Sequence, residues 1–201
     1  VIRLLFDSLD LDQGDDDDKN KDLSVIREKL DHLEQIAGRI LDFGKSREAF
    51  RKDFALQEII EDAALLVRLK LEQSQVDLHI RDFRENLFVY VDKGQIQQAL
   101  LNLMLNALVA MPNGGQLTLE AGRSADGKAQ ILVSDTGSGI PNELQGQIFD
   151  SFLTGTTDGT GLGLSISKRI LRAHDGDLEL LESGENGTVF KIILPLVISS
   201  N

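Results

Sequence analysis

Two asparagines stand four residues apart in a strongly apolar stretch. Asn102 and Asn106 belong to residues 102–107 (NLMLNA), and this spacing places both side chains on one face of a helix. A side-chain amide oxygen is a hard ligand that suits Mg²⁺ bridging the phosphates of a nucleotide. Asparagines in such a helix can also cap it or hydrogen-bond across a core. Taken alone, the pair favours this structural role.

A second group follows an apolar run at residues 130–134. Asp135 is succeeded by Gly137, Gly139 and Ile140 in the stretch DTGSGI, which predicts a strand that enters a turn. Glycine lets the backbone approach a ligand closely. A carboxylate at a strand end can accept a hydrogen bond from an exocyclic amine such as that of adenine. Aspartate also commonly initiates turns, so a purely structural role stays open.

A third group is rich in glycine and leads into a helical pattern. It comprises Gly159, Thr160, Gly161, Leu162 and Gly163. A glycine turn at a helix N-terminus presents free N–H groups to an anion such as phosphate. A Rossmann or P-loop turn would need a strand directly before the glycines. Residues 153–158 (LTGTTD) are polar instead, and no Gly-Lys-Ser/Thr follows, so both of these folds are excluded.

The order and spacing of these groups, together with Phe149 and Phe152 between the glycine stretches, resemble the N, G1, F and G2 boxes of sensor histidine kinases. The resemblance runs from about residue 24 to residue 196, and four motifs in sequence are more specific than any one of them. The stretch NLMLNALVAMPNGG and the short segment before Gly159 look like the compact-lid, nitrogen-regulation type. The resemblance implies a Bergerat-type ATP-binding fold of the GHKL superfamily.

The same resemblance implies roles for individual residues. Asn106 would hold Mg²⁺, Asp135 would read the adenine amine, and the glycines would flank the phosphates of ATP. Thr188 lies in a Gly-Thr-x-Phe pattern that commonly reaches the adenine pocket in this superfamily. Related gyrase and chaperone ATPases carry a glutamate at the position of Asn102. Because an amide cannot act as a general base, Asn102 favours phosphoryl transfer to a protein group over ATP hydrolysis.

Histidine kinases carry an acceptor histidine, with a proline further on, on the first dimerisation helix. The chain has three histidines, and we expect His32, His79 and His174 to be structural or surface residues. The acceptor helix is expected to be largely missing, with residues 1–9 as its tail. The fragment would then bind nucleotide without phosphorylating itself.

The segment between the glycine stretches departs from the compact-lid pattern. Thr156 stands where a lysine is usual and Ser151 where a proline is usual, and a cation there would stabilise phosphate charge. Lys168 and Arg169 follow on the next helix. These departures leave open a nucleotide-binding regulator, either a degenerate kinase or a phosphatase partner, without kinase activity. An anti-sigma-type serine kinase of the same superfamily is a further alternative.

Composition bounds the classes of function. The 201 residues are 41% hydrophobic and 27% charged, which is ordinary for a globular protein. A net charge of −12 disfavours nucleic acid or an anionic membrane as a partner. The absence of cysteine excludes disulfides and thiolate metal sites. No apolar run reaches the length of a membrane span, so we expect a cytoplasmic location for this part of the protein.

The elements that must position these groups fall into two predicted domains. In residues 1–48, a helix over 24–45 carries apolar residues at heptad spacing, which predicts half of a dimerisation hairpin. Homodimers would form through this hairpin, a feature that also speaks against the anti-sigma alternative. The resemblance implies a response regulator receiver domain as the other partner. Residues 49–201 would form the catalytic ATP-binding domain.

Within this second domain, hydrophobic periodicity and turn residues predict an α+β fold. We expect a two-layer sandwich, in which one mixed sheet has helices on one face. The predicted helices cover residues 56–71, 93–111 and 163–173. The predicted strands cover residues 50–54, 76–80, 87–91, 116–123, 129–134, 178–182 and 189–194.

Overall fold

The computed structural model describes residues 49–81, 85–151 and 161–197. The chain divides into two units, Val1–Arg47 and Glu48–Asn201, and all described residues belong to the second. The predicted dimerisation hairpin, with His32 and the heptad positions, lies outside the described residues. The elements in chain order are β1 (Lys52–Ala55), α1 (Leu56–Gln73), β2 (Val76–Ile80), β3 (Phe88–Val91), α2 (Lys93–Ala110), β4 (Gly115–Arg123), β5 (Ala129–Asp135), α3 (Asn142–Gln145), α4 (Gly163–Ala173), β6 (Asp177–Gly184) and β7 (Gly187–Leu194).

Five strands form a mixed sheet in the order β2-β4-β5-β7-β6. β2 pairs with β4 in parallel, and the other neighbouring pairs are antiparallel. Alternate residues of β5 and β7 are buried, including Ile131, Val133, Phe190 and Ile192. One face of the sheet therefore belongs to the core, as a period of two requires. The predicted α+β class with a mixed sheet is confirmed.

β1 and β3 do not join this sheet. They form a separate two-stranded antiparallel sheet, in which Lys52 pairs with Val91 and Ala55 with Phe88. The prediction of a single sheet missed this division. Val89 also bridges to Leu196 near the end of the described chain. Strand identity follows from local periodicity, but the choice of sheet depends on partners that are distant in sequence.

Helix α2 lies at the centre of the helical layer and contacts both α1 and α4. Its buried positions recur every three or four residues and so form one broad stripe along the helix, which includes Ile96, Leu100, Leu103 and Met104. Asp92 caps its N-terminus by accepting a hydrogen bond from the Gln95 amide on Oδ1, as expected of an N-cap carboxylate. A helix packed on two sides holds its few polar side chains in defined places.

The bounds of the other predicted elements agree with the structure to within a few residues, whereas the short helix α3 was not predicted. Helix α4 spans the predicted residues 163–173, and β2 the predicted residues 76–80. β1 begins two residues later than expected, because residues 50 and 51 precede the first paired position at Lys52. Among the described residues, no helix has both the length and the apolar character that a membrane span needs.

Candidate functional site

A row of three polar residues crosses the end of the sheet. Asp135 at the end of β5 pairs in register with Thr188 of β7, which in turn pairs with Ser183 of β6. Directly opposed residues project from the same face of a sheet. Asp135 and Thr188 continue the alternation of Val133 and Phe190, so the row lies on the face that the helices cover.

The two carboxylate oxygens of Asp135 have different surroundings. Oδ1 accepts hydrogen bonds from the amides of Gly137, at 2.8 Å, and Thr188, at 3.2 Å. Within the described residues, Oδ2 has no hydrogen-bond partner. Burial raises the pKa of this carboxyl group, although the Gly137 and Thr188 amides oppose the shift. The bond to Gly137 is a turn-forming contact, so the aspartate serves the turn with one oxygen and keeps the other as a free acceptor.

The glycines after Asp135 are required by packing inside the protein. A Cβ on Gly137 would lie 2.7 Å from the Ala110 side chain at the end of α2. Gly139 has a φ of +70°, and a Cβ there would lie 2.0 Å from the carbonyl oxygen of Gly184. The sequence suggested a close approach of backbone to ligand. In the described structure, these two glycines bring the turn against α2 and the β6–β7 hairpin, and the predicted approach to a ligand stays a prediction.

Ile140 is held at both of its backbone polar groups. Its amide donates to Oγ of Ser183 at 2.8 Å, and its carbonyl accepts from Nε2 of Gln145 at 2.9 Å. Nε2 of Gln145 also donates to the Ser183 carbonyl at 3.3 Å. Ser183 and Gln145 were not singled out from the sequence, because neither belongs to a motif. The pairing of Ser183 opposite Thr188 emerges only from the β6–β7 register.

Asn102 and Asn106 differ in their surroundings although they share a helix face. Nδ2 of Asn102 donates to the Gly163 carbonyl and to Oγ of Ser167, both at 3.3 Å. Asn102 therefore joins α2 to the first turn of α4, which agrees with the structural alternative for this residue. Asn106 is exposed and makes no hydrogen bond within the described residues. Its amide oxygen remains available to a ligand.

Helix α4 begins without a side-chain cap. Leu162, at the N-cap position, is buried and makes no capping hydrogen bond. Gly161 precedes it with a φ of +64°, a conformation that glycine adopts at little cost. The first N–H groups of an uncapped helix lack intrahelical acceptors and carry the positive end of the helix dipole. The sequence predicts an anion site at this terminus, and that role stays a prediction.

Phe149 is half-buried, and its ring lies beneath Nζ of Lys168 at 4.1 Å from the ring centroid. The same Nζ donates to the Leu178 carbonyl at 2.9 Å and lies 3.5 Å from Oδ1 of Asp177. The ammonium group of Lys168 is thus bound by groups of the protein itself. Phe152, Gly159, Thr160 and Thr156 lie outside the described residues, so their predicted roles stay predictions.

Two of the three histidines lie in the described structure. His174 is buried, with Nδ1 hydrogen-bonded to the Ile170 carbonyl at 2.8 Å and Nε2 accepting from the Asp92 amide at 3.1 Å. His79 is exposed on β2. Both fit the expectation of structural or surface roles. Among the described residues, no cluster of three or more histidine, aspartate or glutamate side chains is arranged to hold a metal ion.

This fold and site define a class of nucleotide-binding domain. Residues 91–198 match the family model described as "Histidine kinase-, DNA gyrase B-, and HSP90-like ATPase". The match covers more than half of the chain, and the chain belongs to this family. ATP binding is thereby supported for the domain.

The chain is similar in sequence to named sensor kinases. It is 32% identical over 174 residues to the signal transduction histidine-protein kinase AtoS of Escherichia coli, covering 87% of this chain and 29% of that protein. It is 32% identical over 185 residues to the sensory histidine kinase/phosphatase NtrB of Vibrio alginolyticus, covering 86% and 51%. The chain thus spans about a third to a half of the length of these relatives.

Solved structures give the same likeness. The catalytic domain of histidine kinase ThkA superposes with a TM-score of 0.64 at 34% identity, covering 72% of this chain and 95% of that one. ThkA in complex with the response regulator protein TrrA superposes with a TM-score of 0.77 at 28% identity, covering 96% and 56%.

Proposed function

We propose that this chain is the ATP-binding catalytic region of a two-component sensor histidine kinase. It would use Mg-ATP to phosphorylate a histidine on a dimerisation helix, and the phosphoryl group would then pass to an aspartate of a response regulator. The observation that carries the proposal is the free Oδ2 of Asp135 at the helix-covered end of the sheet. The family match and the named kinases among the relatives support it.

The adenine end of the site would be formed by Asp135 and Thr188. Oδ1 of Asp135 is fixed by two backbone amides, so Oδ2 is oriented before any ligand arrives. A fixed acceptor of this kind suits the exocyclic amine of adenine. Preorganisation lowers the cost of ordering the site on binding. Ile140 would contribute to this pocket through the turn that Ser183 and Gln145 hold.

The phosphate end would lie at the start of α4. The first N–H groups of α4 receive no side-chain cap from Leu162 and favour negative charge, and Asn102 secures this turn against α2 through Gly163. Gly159, Thr160 and Gly161 would contribute backbone groups next to it. Phe149 and Phe152 would flank the segment that leads to this terminus.

Asn106 is our candidate ligand for Mg²⁺. Its side chain is exposed and free of hydrogen bonds to the described residues, and an amide oxygen suits this hard cation. Mg²⁺ keeps several waters and phosphate oxygens among its ligands, so one protein oxygen fits the way it binds. When bound, the ion would neutralise phosphate charge. Asn106 would orient it, while Asn102 secures the neighbouring helix.

Transfer to histidine is favoured over hydrolysis by the residue at position 102. An amide cannot abstract a proton from water, and Nδ2 of Asn102 is already committed to Gly163 and Ser167. The ThkA–TrrA complex supports a response regulator as the partner. We propose residues 1–48 as the dimerisation segment and residues 49–201 as the catalytic domain.

The test uses the full-length protein that contains this chain, incubated with γ-labelled ATP and Mg²⁺. An acid-labile, alkali-stable protein phosphate is expected, and its transfer to a receiver domain should follow. Asp135→Asn should label far more weakly than the wild type at an ATP concentration near the wild-type dissociation constant. A full-length protein that binds ATP and remains unlabelled would refute the kinase.

A regulator without kinase activity is the second candidate, and one observation favours it. Lys168 is the cation nearest in sequence that could replace the missing lysine at Thr156, but its Nζ is held by Leu178, Asp177 and Phe149. This candidate predicts nucleotide binding that does not depend on Mg²⁺. It also predicts no transfer in the labelling experiment, which therefore separates the two.

A further inference from the structure

Ser183 connects the two sides of the proposed adenine pocket. Its Oγ accepts a hydrogen bond from the Ile140 amide at 2.8 Å and lies 3.0 Å from Oγ1 of Thr188. Thr188 is only 3% exposed, and its amide donates to Asp135. A continuous hydrogen-bonded chain thus runs from the carboxylate through Thr188 and Ser183 to the turn at Ile140.

The number of hydroxyl protons in this hydrogen-bonded series limits which group can donate to which. Each hydroxyl has one proton to donate, and one lone pair of Ser183 already faces the Ile140 amide. Within the described residues, the only acceptor in reach of the Ser183 proton is Oγ1 of Thr188. When Ser183 donates to it, the Thr188 proton turns away from Ser183. No other described residue accepts that proton, so Thr188 is left with a donor for a ligand.

The opposite arrangement, in which Thr188 donates to Ser183, leaves one proton without an acceptor. If Thr188 donated to Ser183, then Ser183 would accept two hydrogen bonds and its own proton would have no protein acceptor in the described structure. A ligand acceptor beside Thr188 satisfies every group only when Ser183 is the donor. Fully satisfied hydroxyl networks are favoured because a polar group without a partner in a buried site is costly.

The row then offers two adjacent groups of opposite type. Oδ2 of Asp135 is an acceptor, and the Thr188 hydroxyl is a donor. Adenine presents a matching pair, with a donor at its 6-amino group and an acceptor at N1. Guanine presents the reverse at the corresponding atoms, with an acceptor at O6 and a donor at N1. A site built of directional hydrogen bonds rejects a ligand whose groups are reversed, because its own groups are left unsatisfied.

The geometry points to Ser183 as a positioning residue that turns the Thr188 hydroxyl into a donor toward N1 of the purine. It thereby contributes to the choice of adenine over guanine. Ser183 acts through Thr188 and need not touch the ligand. The inference rests on the proposed ATP site and adds a residue that belongs to none of the sequence motifs.

The test compares ATP with 1-deaza-ATP, in which N1 is replaced by a C–H group, by titration against the wild type, Ser183→Ala and Ser183→Thr. We expect the wild type to prefer ATP by about 3- to 10-fold, the range for one neutral hydrogen bond. Ser183→Ala leaves the Thr188 hydroxyl able to donate but free to rotate among about three staggered positions, so the preference should fall by about two- to threefold. Ser183→Thr, which keeps the hydroxyl, should restore it. Gln145 still joins Ile140 to the Ser183 backbone, so the hairpin should stay in place.

The preference ratio separates positioning from a general structural role. A merely structural Ser183 would lower the affinity for both nucleotides equally and leave the ratio unchanged, which would overturn the inference. A wild type that binds ATP and 1-deaza-ATP equally would also overturn it, while leaving the proposed function intact. A wild type that binds neither nucleotide would refute the ATP site itself. A thermal scan of each variant checks that it is folded.

Discussion

Asp135 illustrates how one residue serves both fold and site. Because burial raises its pKa, the folded protein binds the carboxyl proton more tightly than the unfolded chain does. The stability that this proton contributes is complete below the ordinary pKa of aspartate and is lost as the pH rises through the folded value. At neutral pH the ionised carboxylate therefore opposes folding, and a bound amine would offset this cost.

Asp135→Asn should accordingly separate binding from stability. The amide oxygen can keep both bonds to Gly137 and Thr188, while an NH₂ group replaces Oδ2 and repels the adenine amine. We expect ATP affinity to fall about 10- to 100-fold, as for the loss of a charged hydrogen bond. The melting temperature at pH 7 should rise.

The pH dependence of the melting temperature provides the control for this variant. The difference in melting temperature between Asp135→Asn and the wild type should shrink as the pH falls from 7 toward 4, because the wild-type carboxyl group then becomes protonated. A difference that stays constant over this range would contradict the assigned cause. Fluorescent ATP titration and differential scanning calorimetry on the same samples supply both measurements.

Asn102 and Asn106 form a matched pair for a second prediction. Asn102→Ala removes two hydrogen bonds between α2 and α4 and should lower the free energy of unfolding by about 1–2 kcal/mol. Asn106→Ala removes an exposed side chain and should change it by less than about 0.5 kcal/mol. The Mg²⁺ dependence of ATP binding should instead weaken in Asn106→Ala.

Urea unfolding and ATP titration at several Mg²⁺ concentrations measure the two effects. The assignment fails if Asn106→Ala is the destabilised variant, or if it leaves the Mg²⁺ dependence unchanged. The pair is informative because both residues lie on one helix, so a general loss of helix stability would affect them alike.

At the scale of elements, the start of α2 and the end of α4 are joined through one buried ring. His174 is the C-cap of α4, and its Nε2 accepts from the amide of Asp92, the N-cap of α2. Nδ1 lies 2.8 Å from the Ile170 carbonyl, which fixes the neutral ring with its proton on Nδ1. This ring thus fixes the position of α2, which carries the proposed Mg²⁺ ligand, relative to α4, which carries the proposed phosphate site.

His174→Phe keeps most of the ring volume but leaves the Asp92 amide without its acceptor. We expect a loss of about 1–3 kcal/mol in the free energy of unfolding, the cost of a buried unsatisfied group. His79→Phe, at an exposed position of β2, is the matched control and should change stability by less than about 0.5 kcal/mol. Equal effects of the two substitutions in urea unfolding would refute the joining role of His174.

At the scale of the whole molecule, the site is assembled from separate parts of the chain. α2, the end of β5, the β6–β7 hairpin and the start of α4 each contribute one part, and the sheet and helical layer hold them together. A ligand that bridges such parts binds the folded state alone, so it should stabilise the entire domain.

ATP with Mg²⁺ at about 100 times its dissociation constant should stabilise the fold by about 2.7 kcal/mol. This corresponds to a rise of roughly 5–11 °C in melting temperature for a chain of this size. Removal of Mg²⁺ with EDTA should reduce the rise, because Asn106 would no longer hold the phosphates through the ion. No shift at saturating ATP would exclude binding to the folded domain.

Much of this architecture could be predicted from local sequence. The apolar periodicity of residues 56–71 and 93–111 located α1 and α2, and Gly163 marked the start of α4. The pairing of β1 with β3 apart from the main sheet was not predictable, because the alternation in each strand is the same whichever partner it takes. Ser183 and Gln145 escaped notice for a similar reason, since their roles depend on segments about forty residues away.

By itself, the sequence determined which residues have the chemistry for a nucleotide site, because amide, carboxylate and glycine at fixed spacings restrict what each segment can do. Only the tertiary structure decided how that chemistry is divided. It assigned Asn102 to helix packing and left Asn106 free, and it committed one oxygen of Asp135 to the turn. It also placed Gly137 and Gly139 against neighbouring backbone. These assignments depend on contacts between distant segments, and such contacts form only when the sheet and its helices pack together.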